Sequence, residues 1–289
     1  MTPSQTSASR QLPTFIIIGA MKAGTTSLLA YLGSHPDVFV TNPKEPRFFG
    51  SGDDGNWARG VGWYRQLFVG GEAVTARGEA SPGYSMAPHV PHVPERIAGI
   101  VPDVKLIYLL RNPVERIRSA YLMRRSRGVE LLTLRDALDA KPRYLDASRY
   151  AYQLERYLDW FPPEQILTVS SERLGTNRVA TLRQVCEFVG VDPDAEMVGI
   201  DRELNRGIDK RMPVPLYQTM SAPFRASGVD RIVPQRVKRR IRRAMSRQPS
   251  PDQFDVPADV AERIWSELAP DLARLRKLVG AEFDLWGRA

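Results

Sequence analysis

The residues best placed to do chemistry lie early in the chain. The apolar run Phe15-Ile-Ile-Ile18 leads into Gly19-Ala-Met-Lys22-Ala23-Gly24-Thr25-Thr26-Ser27, and a helical pattern follows from Thr25 to Gly33. In a strand-to-helix loop the amides of the loop and first helical turn converge on one point. The helix dipole favours negative charge there. The glycines let backbone approach a phosphate without a Cβ in the way. Lys22 adds a positive charge, and Thr25 and Thr26 add hydroxyl donors.

The segment is similar to the triphosphate-binding loop G-x-x-x-x-G-K-[ST]. It departs in one way: the lysine has moved inside the loop, and Thr25 stands in its usual place. Triphosphate enzymes also need a carboxylate for magnesium, commonly at a strand end. The strongest later strand, Lys105-Leu-Ile-Tyr-Leu-Leu110, is followed instead by Arg111. An arginine offers a planar donor fork to phosphate and repels a metal. Ser119 follows about two helical turns later, where it could join Arg111 on one phosphate. These residues imply a phosphate site that works without magnesium. A small-molecule kinase using ATP and magnesium is the alternative, and it lacks its strand-end carboxylate.

Alternating strand and helix patterns must position these groups, which implies a single α/β domain: a P-loop-like parallel sheet flanked by helices. Strands are expected at Phe15–Ile18, Val74–Glu79, Lys105–Leu110 and Ile166–Ser170. Helices are expected at Thr25–Gly33, Val114–Arg125, Tyr150–Phe161, Arg178–Val189 and Ala258–Val279, the last interrupted at Pro270. Asn112 before Pro113 reads as a helix cap, and Glu115 completes a capping-box pattern. Arg116 and Arg118 read as surface residues. Residues 1–12 read as a disordered lead-in, with one domain over 13–289.

At this point the chain resembles the PAPS-dependent sulfotransferases (PAPS is 3′-phosphoadenosine-5′-phosphosulfate), and most of all the heparan sulfate sulfotransferase-like branch with its bacterial relatives. The resemblance rests on Gly19–Thr26 and Arg111–Ser119, in that order. It continues through Leu32–Asp37, Lys44-Glu45-Pro46-Arg47-Phe48-Phe49, Gly62-Trp63-Tyr64, Tyr150–Phe161 and Glu172-Arg173-Leu174. It covers about residues 13 to 192. It implies sulfuryl transfer from PAPS to a hydroxyl or amine, with 3′,5′-adenosine bisphosphate as product and no metal. Lys22 would stabilise the leaving bisphosphate. Ala23, Gly24, Thr25, Thr26 and Ser27 would bind the 5′-phosphate, and Arg111 and Ser119 the 3′-phosphate. Lys210 and Arg211 would belong to a loop closing over the nucleotide. Glu45 would be the general base, its pKa raised by partial burial among Pro46, Phe48 and Phe49.

Relatives in this branch often carry an acid after the paired phenylalanines and a lysine after the second-strand glutamate. Here those positions are Gly50 and, after Glu79, Ala80. The acceptor implied is a carbohydrate, glycolipid or small natural product less charged than heparan. Trp57, Trp63, Tyr64 and Tyr84 suit either an acceptor cleft or the core. His35 reads as structural, and His89 and His92 lack partners at metal-ligand spacing.

The chain has 289 residues, 43% of them hydrophobic and 26% charged, enough to bury a sizeable core. The net charge of +8 is local. Arg236, Lys238, Arg239, Arg240, Arg242, Arg243 and Arg247 account for seven of it, within 234–247. That run could bind an anionic partner or membrane surface, although a solvated basic face is the plainer explanation. It has no nucleic-acid-binding motif. The lone Cys186 excludes an internal disulfide and reads as a buried thiol. No apolar run reaches the roughly 20 residues needed to span a bilayer, and together these features suggest a cytoplasmic protein.

Overall fold

The computed structural model describes residues 11–52, 55–201, 255–280, 283 and 286–287, with the backbone alone at 212–213 and 246–247. Five parallel strands form the central sheet: β1 (Phe15–Gly19), β2 (Val38–Val40), β3 (Ala76–Ala80), β4 (Lys105–Leu110) and β5 (Ile166–Ser170). Their spatial order is β2-β3-β1-β4-β5. The helices are α1 (Thr25–Leu32), α2 (Gly60–Gln66), α3 (Val93–Ile100), α4 (Pro113–Ser126), α5 (Leu134–Ala140), α6 (Arg143–Asp146), α7 (Tyr150–Leu158), α8 (Ser171–Thr176), α9 (Arg178–Val189) and α10 (Ala258–Val279). Among the described residues no helix is long and apolar enough to cross a membrane.

The middle strands are covered on both faces, so every residue of β1 is buried and β4 is buried from its second residue onward. That is why both read as continuous apolar runs rather than alternating ones. β3, Ala-Arg-Gly-Glu-Ala, has little intrinsic strand preference, yet all five residues are buried. Its place between β1 and β2 decides its conformation. It begins two residues later than expected. Arg77 Nη1 donates to the Val74 carbonyl and ties that end into a turn. The edge strand β2 was not expected, because three residues are too few to show a period.

The chain runs from β1 to β2 and β3 on one side of the sheet, then crosses to β4 and β5 on the other. The order therefore reverses beside β1, between it and β4. In open parallel sheets the crevice beyond the strand ends at such a point is where ligands bind.

Several expectations need correction. Leu12, counted with the lead-in, is buried, and its carbonyl accepts from Arg77 Nε at 3.2 Å. Arg116 is not a surface residue: it is 1% exposed. Its Nε donates to Ser148 Oγ at 2.5 Å and its Nη2 donates to the Tyr144 carbonyl. Burial lowers its pKa from the usual arginine range. Pro270 does not interrupt α10, which runs through 22 residues. The next residue, Asp271, accepts from the Ala151 and Tyr152 amides and so satisfies the start of α7. Burial raises the Asp271 pKa. α7 ends at Leu158, three residues short of expectation.

Candidate functional site

The loop between β1 and α1 forms the floor of the crevice. The Ala20 amide donates to the Leu109 carbonyl at 2.7 Å, which fastens the loop to β4. A Cβ on Gly19 would lie 1.8 Å from Ser85 Oγ, so only glycine fits this close approach. Gly24 precedes α1 with φ 96°, a left-handed conformation that other residues adopt at a cost. Lys22 also has a positive φ, 77°.

Among the described residues no backbone carbonyl accepts from the amides of Gly24, Thr25 or Thr26. Three donors at the positive end of α1 thus remain open to an anion. The Ala23 and Ser27 amides do not: they donate to the Ala20 and Gly24 carbonyls, at 3.0 and 2.9 Å. A residue the sequence did not single out, Ser171 at the start of α8, has its Oγ 3.6 Å from where a Cβ on Gly24 would lie. Nothing in its local sequence links it to the loop.

Arg111, just past β4, reaches the same loop. Its Nη1 donates to the Lys22 carbonyl at 3.0 Å. Its Nη2 lies 3.5 Å from Glu115, and its own carbonyl accepts from Tyr150 OH at 2.7 Å. The two expected phosphate elements therefore adjoin at the ends of neighbouring strands. Ser119 lies half-buried on α4. Asn112 caps α4 as expected, accepting from the Val114 and Glu115 amides. The capping box does not form. The Asn112 amide donates to Glu172 at 2.9 Å, while Glu115 pairs with Arg118 and Arg111. The glutamate of Glu172-Arg173-Leu174 thus holds the start of the helix that carries Ser119.

The other wall carries Glu45. Lys44 Nζ donates to Thr26 Oγ1 at 2.5 Å and to Glu45 at 2.9 Å, so it links this wall to the phosphate loop. The burial expected of Glu45 is not there: its side chain is 43% exposed. Phe48 and Phe49 turn inward instead. Phe48 stacks on Tyr64 with ring centroids 4.3 Å apart, and Phe49 meets Tyr84 edge to face. Tyr64 and Tyr84 are core residues, whereas Trp57 and Trp63 are half-buried. Arg96 and Arg59 lie over the Trp57 and Trp63 rings.

Beneath this cluster lies a carboxylate that sequence reasoning gave no role. Glu79 in β3 is fully buried. It accepts from Tyr84 OH at 2.8 Å, Tyr64 OH at 3.2 Å and Ser81 Oγ at 2.7 Å. Burial pushes it up to about 7, against the opposing effect of those three donors, and the nearby charge of Glu45 adds to the rise. Burial also drives the Tyr64 and Tyr84 hydroxyls well above the usual tyrosine range. The sequence signals were an acid inside a short strand and its match to the second-strand glutamate of the resembled family.

The remaining candidates lie elsewhere. His35 is buried, accepting from the Asp37 amide at Nδ1 and bonding the Asp192 carbonyl at Nε2, which is a structural role. His89 pairs with Asp146, and His92 with Glu95. Cys186 is buried and free, its thiol pushed up to about 11 by burial. Lys210, Arg211 and the side chains of the 234–247 run lie outside the described residues.

Comparison with known proteins gives concordant results. The sulfotransferase family matches residues 13–196. The mouse heparan sulfate glucosamine 3-O-sulfotransferase 3B1 is 36% identical over 192 residues, which is 63% of this chain and 47% of that protein. The human bifunctional heparan sulfate N-deacetylase/N-sulfotransferase 3 is 31% identical over 204 residues, 63% of this chain and 23% of that protein. The chain thus spans about half the length of the first of these relatives and about a quarter of the second. A crystal structure of a sulfotransferase from Alicyclobacillus acidocaldarius superimposes with a TM-score of 0.68 at 28% identity, covering 95% of this chain and 98% of that one.

Proposed function

The chain belongs to the sulfotransferase family, and on that premise we propose that it transfers a sulfuryl group from PAPS to a carbohydrate hydroxyl or amine. The observation that carries this is the contact between Arg111 and the Lys22 carbonyl, which joins two phosphate-binding elements at the point where the sheet order reverses. When bound, PAPS supplies a sulfuryl group activated by its link to phosphate. The residues present suit such a donor. The Gly24, Thr25 and Thr26 amides would hold its 5′-phosphate, and Arg111 with Ser119 its 3′-phosphate.

Lys22 would hold the bridging and leaving phosphate of the donor, where its positive charge would offset the negative charge gained on departure. Preorganised charge of this kind usually supplies the largest share of catalysis. Glu45 takes the proton of the attacking hydroxyl or amine, and Lys44 orients its carboxylate. With acceptor and donor held in line, orientation lowers the barrier further. Nothing in this arrangement calls for a covalent intermediate.

The acceptor is a glycan, by analogy with relatives whose names specify heparan sulfate glucosamine. Gly50 and Ala80 contribute no charge to its wall, which favours a weakly charged sugar, such as that of a glycolipid or small natural product. The test is calorimetric titration of the full chain with 3′,5′-adenosine bisphosphate in the presence of EDTA, and separately with ATP and magnesium. Micromolar binding of the bisphosphate with weak ATP binding is expected. ATP binding without bisphosphate binding would overturn the assignment in favour of a kinase.

A further inference from the structure

The fully buried Glu79 makes no contact that the proposed chemistry requires, yet two hydrogen-bonded chains lead from it to the segment carrying Glu45. In the first, Ser81 Oγ donates to Glu79 at 2.7 Å and accepts from the Arg47 amide at 3.0 Å. In the second, Tyr84 OH donates to Glu79 at 2.8 Å and accepts from the Phe49 amide at 3.2 Å. Those amides lie two and four residues beyond Glu45. Each hydroxyl gives its single proton to the carboxylate and receives the amide on its oxygen. Both chains therefore run in the one direction that an ionised Glu79 permits.

A second observation concerns the segment itself. Arg47 has φ 48°, a left-handed conformation that a residue with a Cβ adopts only where its surroundings impose it. Its amide is the one held by Ser81. The neighbouring Phe48 and Phe49 rings are locked into the aromatic cluster, leaving Glu45 as the outward-facing group.

We propose that Glu79 is a positioning residue: through Ser81 and Tyr84 its carboxylate fixes the 45–49 segment, and thereby the direction in which Glu45 faces the phosphate loop. The proposal rests on Glu45 being the base. The charged and titratable groups around Glu79 are Tyr64 from α2, Tyr84 and Ser81 from the turn after β3, Glu45 from the facing wall and, at longer range, Tyr157 from α7. A proton on Glu79 takes a position that one of the three donors now uses, and where that donor is Ser81 or Tyr84 the chain it anchors weakens. Its pKa near 7 puts this change around neutral pH. Turnover is therefore expected to fall as the pH drops through neutrality.

The test compares the full-length wild type with Ser81→Ala, Tyr84→Phe and Glu79→Gln by amide hydrogen exchange at single residues. Ser81→Ala should speed exchange at Arg47 about tenfold and leave Phe49 unchanged, and Tyr84→Phe should do the reverse. Glu79→Gln keeps the side-chain volume and should speed exchange at Arg47, because an amide nitrogen now faces Ser81. In all three, affinity for 3′,5′-adenosine bisphosphate should stay within twofold. Transfer of labelled sulfate from PAPS to uncharged amino-sugar oligosaccharides and glycolipids supplies the second readout. Glu79→Gln should lower kcat about tenfold, leave the KM for PAPS unchanged, and flatten the loss of rate below neutral pH. Unaltered exchange at Arg47 and Phe49 in all three variants would sink the relay, as would faster exchange throughout the sheet. A wild type that fails to bind 3′,5′-adenosine bisphosphate while its exchange pattern responds as described refutes the functional assignment and leaves the relay standing.

Discussion

The two walls of the crevice are built on different principles. The wall proposed to hold the donor is direct. Its groups are backbone amides of one loop and an arginine at the end of the adjoining strand, fastened to β1 and β4 in the fully buried centre of the sheet. The acceptor side is indirect. Its candidate base is 43% exposed and lies on a segment of irregular backbone. That segment is held in place by hydroxyls that lead back to a buried carboxylate. The contrast suits the two tasks. A nucleotide needs an unchanging anion cradle, and backbone amides cannot be altered by substitution. An acceptor site needs a side chain aimed at a specific atom, and aim depends on what lies behind it.

This contrast can be tested by asking whether damage to one wall stays on that wall. The largest effect belongs to Glu45→Gln, expected to reduce kcat by about 10²–10⁴ while bisphosphate affinity is unchanged. Steady-state kinetics with parallel calorimetry measure both. Loss of nucleotide binding in that variant would show that the walls are not independent.

Next comes a stability effect on the acceptor side. Burial raises Glu79 from 4.5 to about 7, so the folded chain holds this proton more tightly than the unfolded chain does. The neutral form's advantage is complete below about pH 4.5 and is lost as the pH rises to about 7. Over that interval the wild type should lose roughly 3 kcal/mol relative to Glu79→Gln. Denaturant melts of both proteins at pH 5 and pH 7.5 test this, and a constant difference would mean that Glu79 is not perturbed. The direction matters, because the form that favours folding is not the form that completes the relay. Stability given up at a functional site in this way is a common pattern.

The smallest effects fall on the donor side, where several groups share the load. Arg111→Ala should weaken bisphosphate binding about 10- to 100-fold, the usual range for a charge-assisted hydrogen bond. Ser119→Ala should weaken it only a few-fold, the range of a neutral hydroxyl. Equal losses in the two variants would contradict the assignment of the charge to Arg111.

The legibility of the two walls in the sequence follows the same division. Gly19–Thr26 and Arg111–Ser119 each lie within a stretch of ten residues, where local patterns of glycine, cation and hydroxyl carry meaning. The strands that present them are strongly apolar because both their faces are covered. On the acceptor side Glu45 was identified by resemblance, and the burial expected for it is absent. Glu79 had no assigned role, because the residues that give it one, Tyr64 and the 47–49 backbone, are 15 to 32 positions away. Arg116 shows the same limit: an arginine in a basic helical stretch reads as surface until Ser148 and the Tyr144 carbonyl come to meet it.

The sequence by itself determined the parallel α/β class from periodicity, two candidate phosphate elements from short-range spacing, and the family by resemblance. Only the tertiary structure decided that the two phosphate elements adjoin. That follows from the sheet order, which sets β4 against β1 although about 85 residues separate them. The tertiary structure alone also decided which acid faces solvent and which is buried. A glutamate's environment is set by the groups that fold brings to it, and for Glu79 those are hydroxyls on separate elements converging on one point beneath the acceptor wall.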